Sequence, residues 1–245
     1  MKTLVSLIAV FVWWPGAHAE TSYTSPETRV HMLEVFSTQS CHSCPPAQNW
    51  VNGLKNSKNV WKTFIPVVFH VDYWDYLGWK DPYSSPQYTR RQKDYVSEWF
   101  KFPAYTPMIV LDGEVSRIQY ARSPIQSPGP EVGVLSVDKM KKAGQYKVRF
   151  NPKNTYSKPL MVYYSVLGSG ISTDVKAGEN DGKTLKHDFL SLKMDKKRMT
   201  KVGKGYQTII RADFSKLKEA PEKHIVFWVS EDISKKPIQI VGGPL

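Results

Sequence analysis

The chain has 245 residues and a formal net charge of +12, from 34 lysine and arginine residues against 22 aspartate and glutamate residues. This length is long for one domain and comfortable for two. The positive charge favours anionic surfaces. However, the lysines of the second half are scattered between apolar residues and form no long block, which is typical of a solvated basic surface. The composition therefore argues against a nucleic-acid-binding protein.

The first 19 residues have the pattern of a secretory signal peptide. Lys2 gives a positive start, residues 4–14 form an apolar run, and residues 17–19 (Ala-His-Ala) resemble a signal-peptidase site. The run is too short for a transmembrane helix, and no other apolar stretch approaches that length. We expect an exported protein, periplasmic or extracellular, whose mature chain starts at Glu20 and has no transmembrane segment. A retained membrane anchor is the alternative.

The next predicted elements are a strand and a helix on either side of a Cys-His-Ser-Cys motif. The apolar run 30–36 is typical of a buried strand. A helix is predicted over 47–54, because prolines are tolerated in a first helical turn. Cys41 would lie near the positive end of this helix, which lowers the pKa of a thiol, and Cys44 would be the more enclosed resolving thiol.

Cys41 and Cys44 are the only cysteines of the chain, and two residues separate them. A structural disulfide stabilises most when it closes a long loop, and two thiols are too few for a four-cysteine zinc site. The sequence therefore favours a redox-active pair in a thiol–disulfide oxidoreductase. Two alternatives stay open: a Cu(I)-binding module, with His42 or His70 as further ligands, and a non-catalytic adaptor with an inert disulfide. No resident metal or cofactor is expected.

His42 and the acidic block that follows the next predicted strand, 64–71, contribute further candidates. His42 is interpreted as a residue that tunes the pair or binds substrate, and a surface position at a helix start is the alternative. Sites collect at the carboxyl ends of parallel strands, so Asp72 and Asp75 are candidate proton relays to Cys44. Capping or core roles are the alternative for both carboxylates.

A helix over 86–100, the pair Thr106-Pro107 and a strand over 108–111 complete the first half. The order strand-helix-strand-helix-strand builds a parallel sheet with helices on its faces. In thioredoxin-like folds of this order, a cis-proline before the third strand faces the cysteines. We therefore predict a cis bond at Pro107, and substrate binding by Thr106 and Pro107. An ordinary trans proline is the alternative.

The second half has a different pattern. Residues 123–130 contain three prolines and a glycine, which is typical of a linker. Short alternating segments then predict strands at 133–139, 146–150, 160–167, 187–194, 206–213 and 224–229. Residues 178–182 lack the ligand spacing of a calcium loop and are interpreted as a hairpin turn.

These elements predict an α/β thioredoxin-like N-terminal domain followed by a small antiparallel β-sandwich-like C-terminal domain. The predicted divisions are a signal peptide (1–19), the thioredoxin-like domain (20–122), a linker (123–130) and the all-β domain (131–245).

Four segments, 33–47, 69–82, 105–107 and 178–180, resemble the signature of a family of unknown function, DUF1223. The resemblance implies a secreted, mostly bacterial protein with a thioredoxin-like fold and no settled activity. It also implies that Cys41, Cys44 and Pro107 occupy thioredoxin-type positions, and it supplies no substrate. The partners that we expect are protein thiols or disulfides and an unidentified redox protein that recycles the pair.

Overall fold

The computed structural model describes residues 22–99, 103–118 and 125–245, so the predicted signal peptide lies outside the described residues. Among the described residues, no helix is both long enough and apolar enough to cross a membrane. The helices are α1 (Cys44–Gly53) and α2 (Pro86–Trp99). The strands are β1 (Ser22–Thr24), β2 (His31–Ser37), β3 (Phe64–His70), β4 (Met108–Leu111), β5 (Glu114–Val115), β6 (Gly133–Lys139), β7 (Gln145–Pro152), β8 (Leu160–Ser169), β9 (Ile171–Asp174), β10 (Thr184–His187), β11 (Leu190–Arg198), β12 (Thr200–Val202), β13 (Gly205–Arg211), β14 (Glu222–Glu231) and β15 (Pro237–Pro244).

Most of these strands belong to two sheets. An eight-stranded mixed sheet has the order β15-β14-β8-β11-β3-β2-β4-β5, and a five-stranded sheet has the order β1-β6-β7-β13-β12. Strands β9 and β10 form a separate hairpin. Within the large sheet, β2 and β3 are parallel, with His31 opposite Phe64 and Ser37 opposite His70. Strand β4 pairs antiparallel to β2.

The predicted fold class is wrong. The described residues do not form an α/β thioredoxin-like N-terminal domain beside a small β-sandwich. Instead, β11 pairs in parallel with β3 at Leu190 and Val68, which joins strands of both halves into one sheet. An unpaired edge of β3 would expose a row of N–H and C=O groups. Strand β11 pairs with that edge at Val68, and the pattern of apolar residues alone does not reveal such a pairing.

Strand β2 shows how the large sheet is buried on both faces. Side chains alternate across a strand, so Met32 and Phe36 pack in the core that includes residues of α2, whereas Leu33 and Val35 pack in the core that includes residues of α1. A third core lies between the large sheet and the five-stranded sheet. The two helices therefore cover opposite faces of β2, and the chain leaves the buried end of β2 directly into the cysteine motif.

The structure corrects one smaller prediction and confirms another. The strand predicted over 187–194 is two strands, β10 and β11, because Phe189 between them adopts a φ of 57° and breaks the extended backbone. Residues 178–182 lie in the connection of the β9–β10 hairpin, which confirms the interpretation as a hairpin. That connection also contains a short 3-10 helix, Gly178–Asn180.

Candidate functional site

Cys41 and Cys44 lie where β2 ends and α1 begins, as the sequence predicts. Both are buried free thiols. Helix α1 starts at Cys44 with Ser43 as its N-cap, so Cys41 precedes the helix. The backbone N–H of Cys44 donates to the carbonyl of Cys41 at 3.2 Å, which closes the turn between the two residues. The local structure thus places both thiols at one end of the large sheet.

The two thiols differ in acidity. A hydrogen bond from the Cys44 thiol, with further contacts to Ser43 and Thr106, lowers the pKa of Cys41 to about 5, although burial opposes this effect. Burial raises the pKa of Cys44 well above its ordinary value, and the neighbouring Cys41 raises it further. At neutral pH the site therefore presents an ionised sulfur at Cys41 and a protonated sulfur at Cys44. The ionised sulfur is the nucleophilic one, because the thiolate is the form that attacks.

The predicted cis peptide bond between Thr106 and Pro107 is confirmed. The carbonyl oxygen of Thr106 lies 3.8 Å from the sulfur of Cys41 and 3.4 Å from the hydroxyl oxygen of Ser43. The hydroxyl of Thr106 accepts a hydrogen bond from the indole N–H of Trp74 at 2.9 Å. Thr106 therefore faces Cys41, and substrate binding by Thr106 and Pro107 stays a prediction.

The 3-10 helix of the β9–β10 hairpin holds the motif from the other half of the chain. The buried Asn180 side-chain amide donates to the carbonyls of Gln39 and Cys41, each at 2.9 Å. Glu179 accepts a hydrogen bond from the backbone N–H of His42 at 2.8 Å, while the His42 side chain is exposed. The role of His42 in tuning or substrate binding stays a prediction. Sequence reasoning missed Asn180 as a support of the site.

We expect Asn180→Ala to lower the free energy of unfolding by about 1–3 kcal/mol, because the carbonyls of Gln39 and Cys41 lose their buried donor. Urea unfolding of the reduced protein measures this change. Asn154→Ala is the matched control, since Asn154 is exposed, and it should change stability by less than about 0.5 kcal/mol. Equal effects of the two substitutions would contradict the supporting role of Asn180.

The carboxylates of Asp72 and Asp75 accept hydrogen bonds from the loop in which they lie and from helix α2, which follows that loop. Asp72 accepts a hydrogen bond from the hydroxyl of Thr89 at 2.5 Å. Asp75 accepts one from the hydroxyl of Ser84 at 2.8 Å and one from the backbone N–H of Asp81 at 3.2 Å. These bonds match the capping alternative, and a proton relay to Cys44 stays a prediction.

Asp81 is the buried carboxylate that contacts the residues before Cys41. It accepts hydrogen bonds from the backbone N–H of Gln39 at 2.7 Å and from the hydroxyl of Thr38 at 3.0 Å. Its oxygen also lies 2.8 Å from Nδ1 of His70, and both side chains are fully buried. Burial alone would raise the pKa of Asp81, but His70 and the hydrogen bonds hold it below its ordinary range. Asp81, which belongs to the segment 69–82, therefore anchors the residues before Cys41. The sequence pattern did not indicate this role for Asp81.

Gln39 links this anchor to His187 on β10. The indole N–H of Trp79 donates to the Gln39 side-chain oxygen at 3.0 Å, which fixes the orientation of that amide because an indole is only a donor. The Gln39 side-chain nitrogen therefore donates to Nε2 of His187 at 3.1 Å. Burial, followed by the nearby His70, lowers the pKa of His187 to about 3. His187 is thus neutral, with its proton on Nδ1.

The side chains near the pair decide whether a metal ion could bind there. In the described ranges, no group of three or more histidine, cysteine, aspartate or glutamate residues is placed to hold a metal ion. Thiolates suit Cu(I), and Cys41 and Cys44 are the only thiols of the chain. The Cu(I) alternative therefore stays a prediction that depends on the two sulfurs alone.

Residues 32–230 match the family described as "Protein of unknown function (DUF1223)". The chain belongs to the DUF1223 family. This DUF1223 protein matches no curated protein. The match confirms the family resemblance that the segments 33–47, 69–82, 105–107 and 178–180 indicated.

Two solved structures are similar to the DUF1223 protein in fold. One is the protein AGR_C_4864 from Agrobacterium tumefaciens, with a TM-score of 0.64 and 17% identity, over 89% of this chain and 95% of that one. The other is HBP35 of Porphyromonas gingivalis, with a TM-score of 0.58 and 14% identity, over 90% of this chain and 76% of that one. At these identities the likeness concerns the fold alone.

Proposed function

We propose that the protein is an exported thiol–disulfide oxidoreductase that acts on protein thiols or disulfides through Cys41 and Cys44. One arrangement carries the proposal: the two thiols lie together between β2 and α1, and the Cys41 sulfur faces the carbonyl of Thr106 beside the cis-proline. The pKa of Cys41 is lowered to about 5, while burial raises that of the adjacent Cys44. An attacking thiolate beside a protonated thiol is the arrangement that thiol–disulfide exchange needs. The signal-peptide pattern at the N-terminus supports action in an oxidising compartment.

The reaction would proceed in two exchanges. The Cys41 thiolate attacks one sulfur of a partner disulfide, forms a mixed disulfide and releases the other sulfur as a thiolate, which takes a proton from water. Cys44 then attacks the Cys41 sulfur, and the second substrate sulfur leaves as a thiolate that takes up the proton lost by Cys44. This leaves a Cys41–Cys44 disulfide. The substrate gains two electrons and the pair loses two. A separate redox partner reduces the pair again, and the same steps in reverse would oxidise a dithiol substrate.

The structure around Cys41 supports this sequence of steps. The Thr106 carbonyl lies beside the Cys41 sulfur, so an extended substrate chain there would meet a backbone acceptor next to the nucleophile. Ser43 Oγ lies 3.2 Å from the same sulfur and stabilises its thiolate by a hydrogen bond. We therefore assign substrate contacts to Thr106, Pro107 and the exposed His42.

Reduction of insulin disulfides by the mature chain, residues 20–245, with dithiothreitol as reductant, tests the proposal. We expect Cys41→Ser to abolish the catalysed rate. Without dithiothreitol, reduced Cys44→Ser mixed with insulin should accumulate a mixed disulfide at Cys41, which intact-mass analysis detects, because the second exchange is lost. Ser43→Ala is the matched control: it removes a contact of Cys41 and keeps both thiols, so activity should be retained in part. Full activity of Cys41→Ser would overturn the proposal.

The acidity of Cys41 gives a second test that needs no substrate. We expect the rate of Cys41 alkylation by iodoacetamide to reach half its maximum near pH 5, since only the thiolate reacts. Cys44→Ala should move this midpoint upward, because it removes the hydrogen bond that contributes most to the low pKa of Cys41. Mass spectrometry of the Cys41 peptide measures the rate. A midpoint at the ordinary thiol pKa in the unchanged protein would contradict the assignment.

A further inference from the structure

Two aromatic side chains are exposed in the described part of the chain, those of Tyr76 and Tyr105, with exposed fractions of 76% and 42%. Aromatic side chains dominate the energetics of an interface once a partner covers them, and exposed apolar groups that lie together mark contact surfaces. Both tyrosines lie near Thr106, the residue whose carbonyl oxygen is 3.8 Å from the Cys41 sulfur. The exposed aromatic side chains are therefore gathered beside the thiol pair.

Trp74 links Tyr76 to Thr106. The rings of Tyr76 and Trp74 stack, with their centres 6.2 Å apart and an angle of 22° between their planes. The indole N–H of Trp74 donates to the hydroxyl of Thr106 at 2.9 Å, so this ring pair is bonded to the residue that faces Cys41. Tyr105 directly precedes Thr106 in the chain. We call Trp74, Tyr76 and Tyr105 the aromatic platform.

The backbone that carries Tyr76 is held in place by hydrogen bonds, although the ring is exposed. Tyr76 lies in a short 3-10 helix, Asp75–Leu77. The carboxylate of Asp75 accepts from the hydroxyl of Ser84 at 2.8 Å and from the backbone N–H of Asp81 at 3.2 Å. A contact surface that is held before binding loses little conformational entropy when a partner docks on it. The aromatic platform is thus suited to binding.

We propose that the aromatic platform binds an aromatic or large aliphatic side chain of the polypeptide substrate, close in sequence to the reacting substrate cysteine. The proposal rests on the proposed oxidoreductase function, because thiol exchange requires a substrate sulfur at Cys41. A polypeptide that brings its sulfur there crosses Thr106 and passes the rings bonded to it. Folded proteins bury most side chains of this kind, so the substrate class is an unfolded or partly folded polypeptide.

Reduction of short peptides by the mature chain, residues 20–245, tests this inference. Each peptide has one cysteine in a mixed disulfide with glutathione, and a tryptophan two or four residues before or after that cysteine. Each also has a counterpart with serine in place of tryptophan. Dithiothreitol recycles the pair, and chromatography of the released peptide thiol, above the rate with dithiothreitol alone, gives kcat/KM. We expect the best-placed tryptophan to raise kcat/KM about two- to tenfold, the effect of one aromatic contact.

Three variants identify the platform as the source of this preference. Tyr76→Ser should remove the preference for the tryptophan peptide and leave reduction of the serine peptides unchanged. Tyr76→Phe should keep the preference, because the ring remains. Ile233→Ser is the matched control: Ile233 is 73% exposed in the loop between β14 and β15, outside the platform, and its substitution should also keep the preference.

The outcomes separate this inference from the proposed function. Equal rates for the tryptophan and serine peptides, or an undiminished preference in Tyr76→Ser, would overturn the inference and leave the oxidoreductase activity standing. Failure to reduce any peptide, and oxidised glutathione as well, would overturn the proposed function and the inference with it. Sedimentation velocity tests a second copy as the occupant: a dimer that Tyr76→Ser dissociates would make the platform an interface between copies and would overturn the inference.

Discussion

Arg91→Met is expected to lower the free energy of unfolding by about 3–5 kcal/mol, because it strands a buried carboxylate. Arg91 on α2 and Glu34 on β2 are both buried, and the guanidinium Nε lies 2.5 Å from the Glu34 carboxylate. The same guanidinium donates to the hydroxyl of Tyr95 at 2.9 Å, which in turn donates to Glu34 at 2.5 Å. Without Arg91, the Tyr95 hydroxyl is the remaining side-chain donor to Glu34.

The surroundings of Arg91 add to this effect. Its guanidinium carbon lies 5.2–5.8 Å from the ring centres of four aromatic side chains, which are Phe69, Tyr95, Tyr163 and Trp228. Burial would lower the pKa of Arg91, but the adjacent Glu34 raises it above its ordinary value, so the cation persists. Contacts between a desolvated cation and aromatic rings contribute about 2 kcal/mol in favourable cases.

Urea unfolding of three variants tests the prediction about Arg91. Arg90→Met is the matched control, since Arg90 is the exposed neighbour on the same helix, and it should change stability by less than about 0.5 kcal/mol. The double variant Glu34→Leu/Arg91→Met should recover much of the loss, because an apolar pair leaves no buried charge. A loss for Arg91→Met no larger than that of the control would contradict the account.

Local elements near the site followed from the sequence. The helix predicted over 86–100 is found at Pro86–Trp99, and the strand predicted over 108–111 is found at those residues. The helix has a periodic pattern and begins at Pro86, and the strand is an apolar run that begins directly after Pro107. Such signals are local in the sequence. Strand β15 was missed because its prolines and its glycines Gly242 and Gly243 are typical of loops.

Long-range pairings did not follow from the sequence. Leu190 and Val68 join the two halves in one sheet, and Asn180 reaches the carbonyls of Gln39 and Cys41 from a distant hairpin. These contacts depend on which sheet edges meet, and a single sequence carries no periodic signal for that choice. The position of the cysteine motif between a strand and a helix followed from the sequence because its signal, Cys-x-x-Cys before a proline pair, is local. The residues that support the motif lie far from it in the sequence and did not follow.

His187 should make the protein lose stability as the pH falls from about 6.5 to about 3. Burial lowers the pKa of His187 to about 3, from an ordinary value of 6.5. Within this window the unfolded chain binds a proton at His187 and the folded protein does not, so protonation favours unfolding. The contribution is complete above pH 6.5 and decreases by about 1.4 kcal/mol per pH unit within the window, so about 4–5 kcal/mol of it is lost by pH 3.

His187→Gln isolates this contribution. Glutamine does not titrate, and its side-chain oxygen can accept from the Gln39 amide in place of Nε2. We expect the slope of unfolding free energy against pH between 4.5 and 6, measured by urea unfolding, to be smaller in His187→Gln by about 1.4 kcal/mol per pH unit. Cys41 also titrates here, but its contribution cancels in the difference between the two proteins. Asn154→Gln, at an exposed position that does not titrate, should keep the full slope. If His187→Gln leaves the slope unchanged, His187 has the pKa of the unfolded chain and is protonated in this pH range, so its Nε2 cannot accept the hydrogen bond from the Gln39 amide there.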